Sequence, residues 1–271
     1  MYVSFRWLAS LSTLVATAHA AIEAVEVDLI FPRNDTYSPS YDFPLVFAVQ
    51  NAQHAELLNI YLRYQIRWGD FRNNYTYGWT DLLWANWSSA DPYFAFDFFN
   101  LNRTEYWRLD WQLRWQSCDE KGLGDGLFTH HHAGRQFFKT DDSAPKDVDV
   151  DLVATTADAT CPNNLNGVMI NVTDTIMQLP PNVLRRDRDT CILTVNSTDS
   201  TTSTTPDPCR AVMDEKAVAS FTAARREKQC DPLLSANPPE DCPAGNGALH
   251  SVVRTVSSFW AAFGVLGFVL L

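Results

Sequence analysis

The stretch "YWRLDWQLRW" (residues 106–115) decides the fold of this chain. Its residues alternate strictly between apolar and polar: Trp107, Leu109, Trp111, Leu113 and Trp115 lie on one side, and Arg108, Asp110, Gln112 and Arg114 on the other. Such alternation predicts a β-strand with two different faces. A row of Trp and Leu opposite a row of charges is typical of a strand that faces a core, and this is the interpretation favoured here. The alternative is an aromatic surface on which sugar rings stack.

Other stretches also have the length and pattern of strands, and clusters of Asn, Gly, Pro and Asp separate them. They lie at residues 25–31, 44–50, 59–68, 93–99, 135–140, 148–155, 167–174 and 191–195. In the first of these, Val25 and Val27 face the core, and Glu26 and Asp28 are expected on the opposite, solvent-facing side. Together the strands predict a mainly β protein, an antiparallel immunoglobulin-like β-sandwich over residues 21–195.

One helix is predicted after the strands, at residues 209–230, where neither Gly nor Pro occurs. Asp207 is the expected N-cap, and Pro208 occupies the first turn. Met213, Ala217 and Phe221 recur at helical spacing and predict an apolar face that packs on or near the sandwich.

Six cysteines predict up to three disulfides in an exported protein. They are Cys118, Cys161, Cys191, Cys209, Cys230 and Cys242. Their pairing stays open, but cysteines at both ends of the helix predict that it is tied to itself or to the sandwich. The spacing does not match a structural zinc site.

Both ends of the chain resemble processing signals. Residues 1–20 combine Arg6, an apolar run and small residues, which predicts a secretory signal peptide. Cleavage before Ala21 is favoured over cleavage before His19. Residues 247–271 combine small residues, a polar spacer and an apolar terminus, which predicts a GPI-attachment signal with Asn246 as the anchored residue. The alternative is a membrane helix that begins near Leu249.

The remaining segments are expected to be irregular and glycosylated. Residues 196–208 are rich in Ser and Thr and predict a flexible connector, and residues 231–246 predict a Pro-rich stalk. Six N-glycosylation sequons are expected on surface turns. They lie at Asn34, Asn74, Asn86, Asn102, Asn171 and Asn196.

Aromatic residues in the stretch "YTYGWTDLLWANW" (residues 75–87) suggest a binding site. The stretch is irregular in pattern and carries N-glycosylation sequons, so its rings are expected to be exposed. We therefore identify Tyr77, Trp79, Trp84 and Trp87 as candidates for stacking against a glycan, with a cell-wall polysaccharide as the possible partner.

Histidines offer a second, weaker hypothesis. The run His130, His131 and His132 is interpreted as a solvated turn because glycines flank it. If cleavage exposed His19, its amine and imidazole could bind copper together with His54, His130 or His132, as in copper monooxygenases. Cleavage before Ala21 removes that site, so no metal is expected.

The formal net charge of −11 argues against nucleic acid as a partner. Neither a nucleophile elbow nor a zinc-protease motif occurs. The sequence therefore predicts no enzymatic activity and no cofactor.

The N-terminal pattern "VEVDLIFPRNDTYSPSYDFPLVFAVQN" and the later "DPCRAVMDEKAVAS" resemble a fungal family of secreted, often GPI-anchored proteins defined as a domain of unknown function. The resemblance implies a fungal cell-surface glycoprotein. The aromatic cluster, rather than the resemblance, is the basis for predicting a binding or wall-structural role. It transfers no catalytic residues.

Overall fold

A computed structural model describes residues 22–118, 126–144, 152–157, 166–179, 189–195, 206–231 and 239–242. The strands are β1 (Ile22–Phe31), β2 (Thr36–Tyr37), β3 (Ser40–Gln50), β4 (Tyr61–Trp68), β5 (Tyr75–Asp81), β6 (Tyr93–Leu101), β7 (Glu105–Cys118), β8 (Leu127–Thr140), β9 (Gly167–Gln178) and β10 (Thr190–Thr194). The helices are α1 (Leu152–Ala157) and α2 (Glu215–Cys230), and 3-10 turns lie at Ala52–His54, Glu56–Leu58 and Pro208–Arg210.

The strands form two five-stranded sheets. Sheet A has the order β10-β9-β1-β3-β6, and sheet B has the order β2-β8-β7-β4-β5. The strand pairs are antiparallel apart from the short pair β2–β8, which is parallel. The prediction of a mainly β protein is therefore confirmed, and sheet B is mixed rather than purely antiparallel.

Aromatic side chains fill the space between the sheets. Phe47 of β3 packs edge-on against Trp111 of β7, with ring centroids 5.5 Å apart. Phe43 of β3 stacks on Phe138 of β8 at 5.2 Å. Trp107 and Trp111 are 1% and 2% exposed. The core-facing interpretation of the 106–115 stretch is confirmed for these two tryptophans.

The C-terminal segment covers the other face of sheet A. Ala211 and Met213 are fully buried there. Phe221 of α2 packs against Phe96 and Phe98 of β6, with centroids 5.4 and 5.3 Å apart. Sheet A is therefore a middle layer, buried on both faces along much of β1 and β3.

This third layer contradicts the prediction that Glu26 and Asp28 face solvent. They are 1% and 0% exposed. Alternation correctly placed them opposite Val25 and Val27, but the C-terminal segment packs over that side as well.

The C-terminal helix begins later than predicted. It starts at Glu215, where the backbone N–H of Ala217 donates a 2.8 Å hydrogen bond to the Asp214 side chain. Asp207 therefore does not cap it. Met213 precedes the helix, and its N–H donates to the Thr156 hydroxyl at 3.0 Å. Met213 is buried in a non-helical segment at the place where the sequence suggested a helical turn.

Two disulfides join described residues. Cys118–Cys191 connects the end of β7 in sheet B to β10 in sheet A. Cys230–Cys242 ties the last residue of α2 to the segment that follows it. The helix is therefore disulfide-tied, but Cys230 joins it to the following segment and not, as was predicted, to itself or to the sandwich. Cys209 is also disulfide-bonded, and Cys161 lies outside the described residues.

Three further local predictions were wrong. Residues 152–157 form α1 instead of continuing a strand at 148–155, of which residues 148–151 lie outside the described part. Residues 75–81 and 127–134 were expected to be irregular or a turn, but they form β5 and the first half of β8. Both pair regularly with a neighbouring strand.

Several predictions concern residues outside the described ranges. They include the signal peptide with its cleavage sites, most of the 196–208 connector, part of the stalk, and Asn246 with the GPI signal. Within the described ranges, no helix combines the length and the apolar character needed to span a bilayer.

The packing of Trp111 makes Gly134 a sensitive position. The two residues are opposite each other in the β7–β8 pair, and a Cβ at Gly134 would lie 2.3 Å from the indole ring. We expect Gly134→Ala to lower the free energy of unfolding by about 1–3 kcal/mol, because the buried indole must shift. Urea unfolding measures this, with Ala133→Ser on the exposed face as the control. Equal midpoints for Gly134→Ala and wild type would contradict this account of the core.

Candidate functional site

The solvent-facing side of sheet B contains the candidate aromatic residues. Alternation along β4, β5, β7 and β8 directs one residue in two toward solvent. We call this surface the outer face. It comprises Tyr61, Arg63, Gln65 and Arg67 of β4; Tyr75, Tyr77, Trp79 and Asp81 of β5; Arg108, Asp110, Gln112 and Arg114 of β7; and His131, Ala133, Arg135 and Phe137 of β8.

An aromatic column runs along β5 at one border of the outer face. It consists of Tyr75, Tyr77 and Trp79, which are 48%, 62% and 51% exposed. The rings of Tyr77 and Trp79 are nearly parallel, 20° apart, with centroids separated by 6.3 Å. Among the described strands, β5 pairs with β4 alone and forms an edge of the sheet, so the column has no neighbouring described strand on one side.

Gly78 allows β5 to lie close to the core while its aromatic column faces outward. A Cβ at this position would lie 2.5 Å from the Tyr64 ring and 2.9 Å from the Asp97 carboxylate. The Tyr64 hydroxyl donates to Asp97 at 2.8 Å. This hydrogen bond connects β4 of sheet B to β6 at the edge of sheet A. The same hydroxyl lies 2.9 Å from the Thr80 hydroxyl of β5, the strand that displays the aromatic column.

Arginines dominate the rest of the outer face. Three of them surround Asp110: Arg135 and Arg108 place their Nε atoms 2.7 and 2.9 Å from its oxygens, and Arg67 lies at 3.4 Å. The Arg67 guanidinium also lies over the Tyr75 ring, 5.6 Å from its centroid. The arginine cluster and the aromatic column are therefore in direct contact.

Two more arginines complete the surface. Arg63 is the cross-strand neighbour of Trp79 on one side and Gln112 on the other. Arg114 lies over the ring of Tyr61 at 5.2 Å. Both arginines are exposed, and neither forms an ion pair within the described part of the chain.

The four glycan-stacking candidates do not lie together on one exposed surface. Tyr77 and Trp79 share the aromatic column, and Trp84 is 51% exposed in the turn that follows β5. Trp87 is only 5% exposed and packs against Tyr93 at 5.2 Å. The expectation that Trp87 is exposed was wrong, because the turn brings it back into the core.

The histidine run is not a turn. His130 and His132 lie in β8, half-buried, where they pack against Trp115 at 5.2 Å and Trp111 at 5.4 Å. Burial lowers the pKa of both imidazoles. They share a face, as expected for a strand, and act as aromatic packing groups.

The described residues give little support for a metal-binding site or for a catalytic nucleophile. No group of three or more His, Cys, Asp or Glu side chains there is arranged to hold a metal. His54 bonds to its neighbour Gln53, and His19 lies outside the described ranges. Ser117 Oγ lies 2.8 Å from His130 Nε2, but Ser117 is 2% exposed, so a substrate does not reach the hydroxyl.

The sequons divide into two groups. Asn34, Asn74, Asn86 and Asn102 are exposed and lie outside the strands, as expected for glycosylation sites. Asn171 instead lies within β9, is 9% exposed and pairs with Ala24. The expectation of a surface turn was wrong for this position. Asn196 lies outside the described residues.

The sequence interpretation missed a buried cluster of polar residues. Gln50 donates to Asp28 at 2.8 Å, and Arg210 donates to Gln50 at 2.6 Å and to Glu26 at 3.0 Å. The backbone N–H of Asp207 also donates to Glu26. Burial, followed by the charge of Glu26, raises the pKa of Asp28 to about 8, and burial also raises the pKa of Glu26.

This cluster is structural. Both carboxyl groups are shielded from solvent, and their hydrogen bonds attach the segment around Arg210 to sheet A. The signal in the sequence was the placement of two acids in a strongly apolar strand, which is typical of buried groups that have partners.

The fold and the outer face define a two-sheet β protein whose exposed sheet carries aromatic and arginine side chains. A family model for a domain of unknown function, DUF7136, matches residues 20–242, and the chain belongs to this family. A search of curated proteins and a search of solved structures found no match.

The buried carboxyl groups of Glu26 and Asp28 predict an unusual dependence of stability on pH. Asp28 has an ordinary pKa near 3.8, raised to about 8 in the folded protein. Between these values the folded state holds a proton that the unfolded state has lost, so the free energy of unfolding falls as pH rises. Asn at this position keeps the contact with Gln50 and has no proton to lose.

We therefore expect Asp28→Asn to be more stable than wild type at pH 7–8 and to show a shallower decline in stability between pH 4 and 8. Thermal unfolding across this range measures both effects. Asp174→Asn removes an exposed carboxylate and is the matched control. Parallel pH profiles for Asp28→Asn and wild type would contradict a protonated Asp28 in the folded protein.

Proposed function

We propose that this protein is a non-enzymatic glycoprotein of the fungal cell surface that binds a cell-wall polysaccharide through the outer face of sheet B. The observation that carries the proposal is the aromatic column Tyr75, Tyr77 and Trp79. Large aromatic side chains are normally withdrawn from water, and a row of exposed ones indicates a contact surface. The C–H face of a pyranose ring is apolar and flat, so it packs against such rings through dispersion and exclusion of water.

The geometry of β5 supports a glycan as the ligand. Side chains two residues apart on a strand recur along a straight line, and a polysaccharide is also a linear repeat of rings. The near-parallel planes of Tyr77 and Trp79 suit two successive rings of one chain. Trp84, in the adjoining turn, extends the available aromatic surface. Trp87 takes no part because it is buried.

The processing signals support placement at the cell surface. The apolar N-terminal segment at residues 1–20 is consistent with export, and residues 247–271 are consistent with GPI attachment at Asn246. Four exposed sequons and the disulfide bonds suit an exported chain.

The two facing sheets also support our description of the fold as immunoglobulin-like.

Replacing the aromatic column tests the binding site. We expect Tyr77→Ala and Trp79→Ala each to weaken retention on chitin, β-glucan or mannan, whichever the wild type binds, by about tenfold. That factor corresponds to ~1.4 kcal/mol, the order of one ring-stacking contact. Pull-down with a dilution series gives the affinity.

Two variants serve as controls for this experiment. Tyr41→Ala removes an equally exposed ring, 68% exposed, from sheet A and is expected to bind like wild type. Trp84→Ala measures the contribution of the turn to binding separately from that of strand β5. Binding that survives both Tyr77→Ala and Trp79→Ala would eliminate the β5 site.

Enzymatic release tests the anchor. We expect phosphatidylinositol-specific phospholipase C to move the membrane-bound protein into the aqueous phase, because the enzyme removes the lipid that replaces residues 247–271. Phase partitioning followed by immunoblotting measures this. A chain truncated after Asn246 is the control and is expected in the medium. Full-length protein that stays in the detergent phase after treatment would show that it has no GPI anchor.

A further inference from the structure

The outer face concentrates positive charge on an acidic protein. Five arginines lie on it: Arg63, Arg67, Arg108, Arg114 and Arg135. Only two acids share the surface, Asp81 and Asp110, although the whole chain has a net charge of −11. An acidic composition does not explain an excess of arginine on one face. The positive charge is therefore a local property of the outer face.

We propose that the ligand of the outer face is an acidic polysaccharide with a carboxylate on each sugar, a polyuronate. This inference rests on the proposed function, since it identifies the class of glycan that the aromatic column binds. Each uronate ring combines an apolar C–H face with a carboxylate attached directly to the ring. A site for such a polymer needs aromatic and cationic side chains next to each other, repeated along one direction.

β4 and β5 provide that arrangement. In the register of the pair, Arg63 is opposite Trp79, and Arg67 is opposite Tyr75. The Arg67 guanidinium lies 5.6 Å from the centroid of the Tyr75 ring, and Arg63 extends from the position next to Trp79 on a strand about 4.8 Å away. A sugar ring stacked on Trp79 therefore brings its carboxylate within reach of Arg63 on β4.

The surface already binds one carboxylate in this way. Asp110 is surrounded by Arg67, Arg108 and Arg135, so three arginines of this surface already share a carboxylate of the protein itself. Within the described residues Arg63 and Arg114 have no such partner. They are the two cations available to a ligand.

A neutral glycan fits this surface less well. The hydroxyl oxygens of a neutral glycan accept hydrogen bonds from a guanidinium, but these uncharged acceptors offset less of the cost of removing its water. A carboxylate replaces that water with charge-assisted hydrogen bonds, and a planar guanidinium can hold both of its oxygens. The negative charge elsewhere on the protein confines the polyanion to this face.

A matched pair of polymers tests the proposal on the mature secreted chain. Affinity electrophoresis is run with polygalacturonate and with the same polymer after chemical reduction of its carboxylates to alcohols. We expect wild type to bind polygalacturonate at least about tenfold more tightly than the reduced polymer, and the preference to shrink as salt rises from about 0.05 to 0.5 M.

Variants locate the effect on the outer face. We expect the double substitution Arg63→Gln with Arg114→Gln to weaken binding to polygalacturonate about tenfold and to leave binding to the reduced polymer unchanged. Arg226→Gln removes one positive charge from α2, where Arg226 pairs with Asp241, and is expected to bind like wild type. Circular dichroism confirms that each variant is folded.

The outcomes separate this inference from the function on which it rests. Equal affinity for the two polymers, or wild-type affinity in the double variant, overturns the polyuronate assignment. Binding to neutral glucan that depends on Trp79 but not on the arginines overturns it while leaving the proposed function intact. Loss of binding in the arginine variant with no effect of Trp79→Ala contradicts the proposed function instead. Equal retention on DNA would show a nonspecific polyanion surface and would also overturn the assignment.

Discussion

The hydrogen bonds that Arg210 donates to Gln50 and Glu26 hold the C-terminal segment against sheet A, and the architecture depends on this contact. Once the segment is in place, sheet A has sheet B on one face and residues 206–230 on the other. Among the residues that the structure describes, none forms a layer over the other side of sheet B. The outer face is thus the sheet surface left to solvent, and the placement of the candidate site follows from what covers the opposite sheet.

The candidate site also depends on how the edges of the two sheets meet. Tyr64 crosses from β4 to the Asp97 carboxylate on β6, and the same carboxylate accepts a hydrogen bond from Lys228 of α2 at 3.1 Å. The Tyr64 hydroxyl also lies 2.9 Å from the Thr80 hydroxyl of β5, so the strand that displays the aromatic column is connected to the C-terminal helix through Tyr64 and Asp97. A surface held from behind in this way loses little conformational entropy when it binds a ligand, which favours affinity.

The alternation in residues 106–115 was enough to predict the sheet and its core face, because Trp107 and Trp111 differ so strongly from Arg108 and Asp110. The same kind of pattern led to the wrong prediction that Glu26 and Asp28 face solvent. Alternation reports which residues share a face, whereas exposure depends on what packs over that face, and the segment that covers these acids is about 180 residues away in the chain.

Long-range packing also explains the errors at the candidate site. Trp84 and Trp87 have the same composition around them, and only the turn between β5 and β6 decides that one is exposed and the other buried. His130 and His132 looked like turn residues because of the nearby glycines, but Gly134 is required by the Trp111 indole across the strand pair. The arginine cluster was visible in the sequence as the polar half of each strand, yet its convergence on Asp110 depends on the register of β4, β7 and β8.

The open edge of β5 has a consequence for the behaviour of the protein in a crowded environment. An edge strand with exposed aromatic rings offers unpaired backbone groups to other strands, which favours aggregation. Asn74 immediately precedes β5, and Asn86 lies in the turn that follows it. Glycans at these two sequons would place large hydrated groups at both ends of the strand. They would block sheet-to-sheet association between neighbouring molecules while the rings between them remain accessible to a slender polymer.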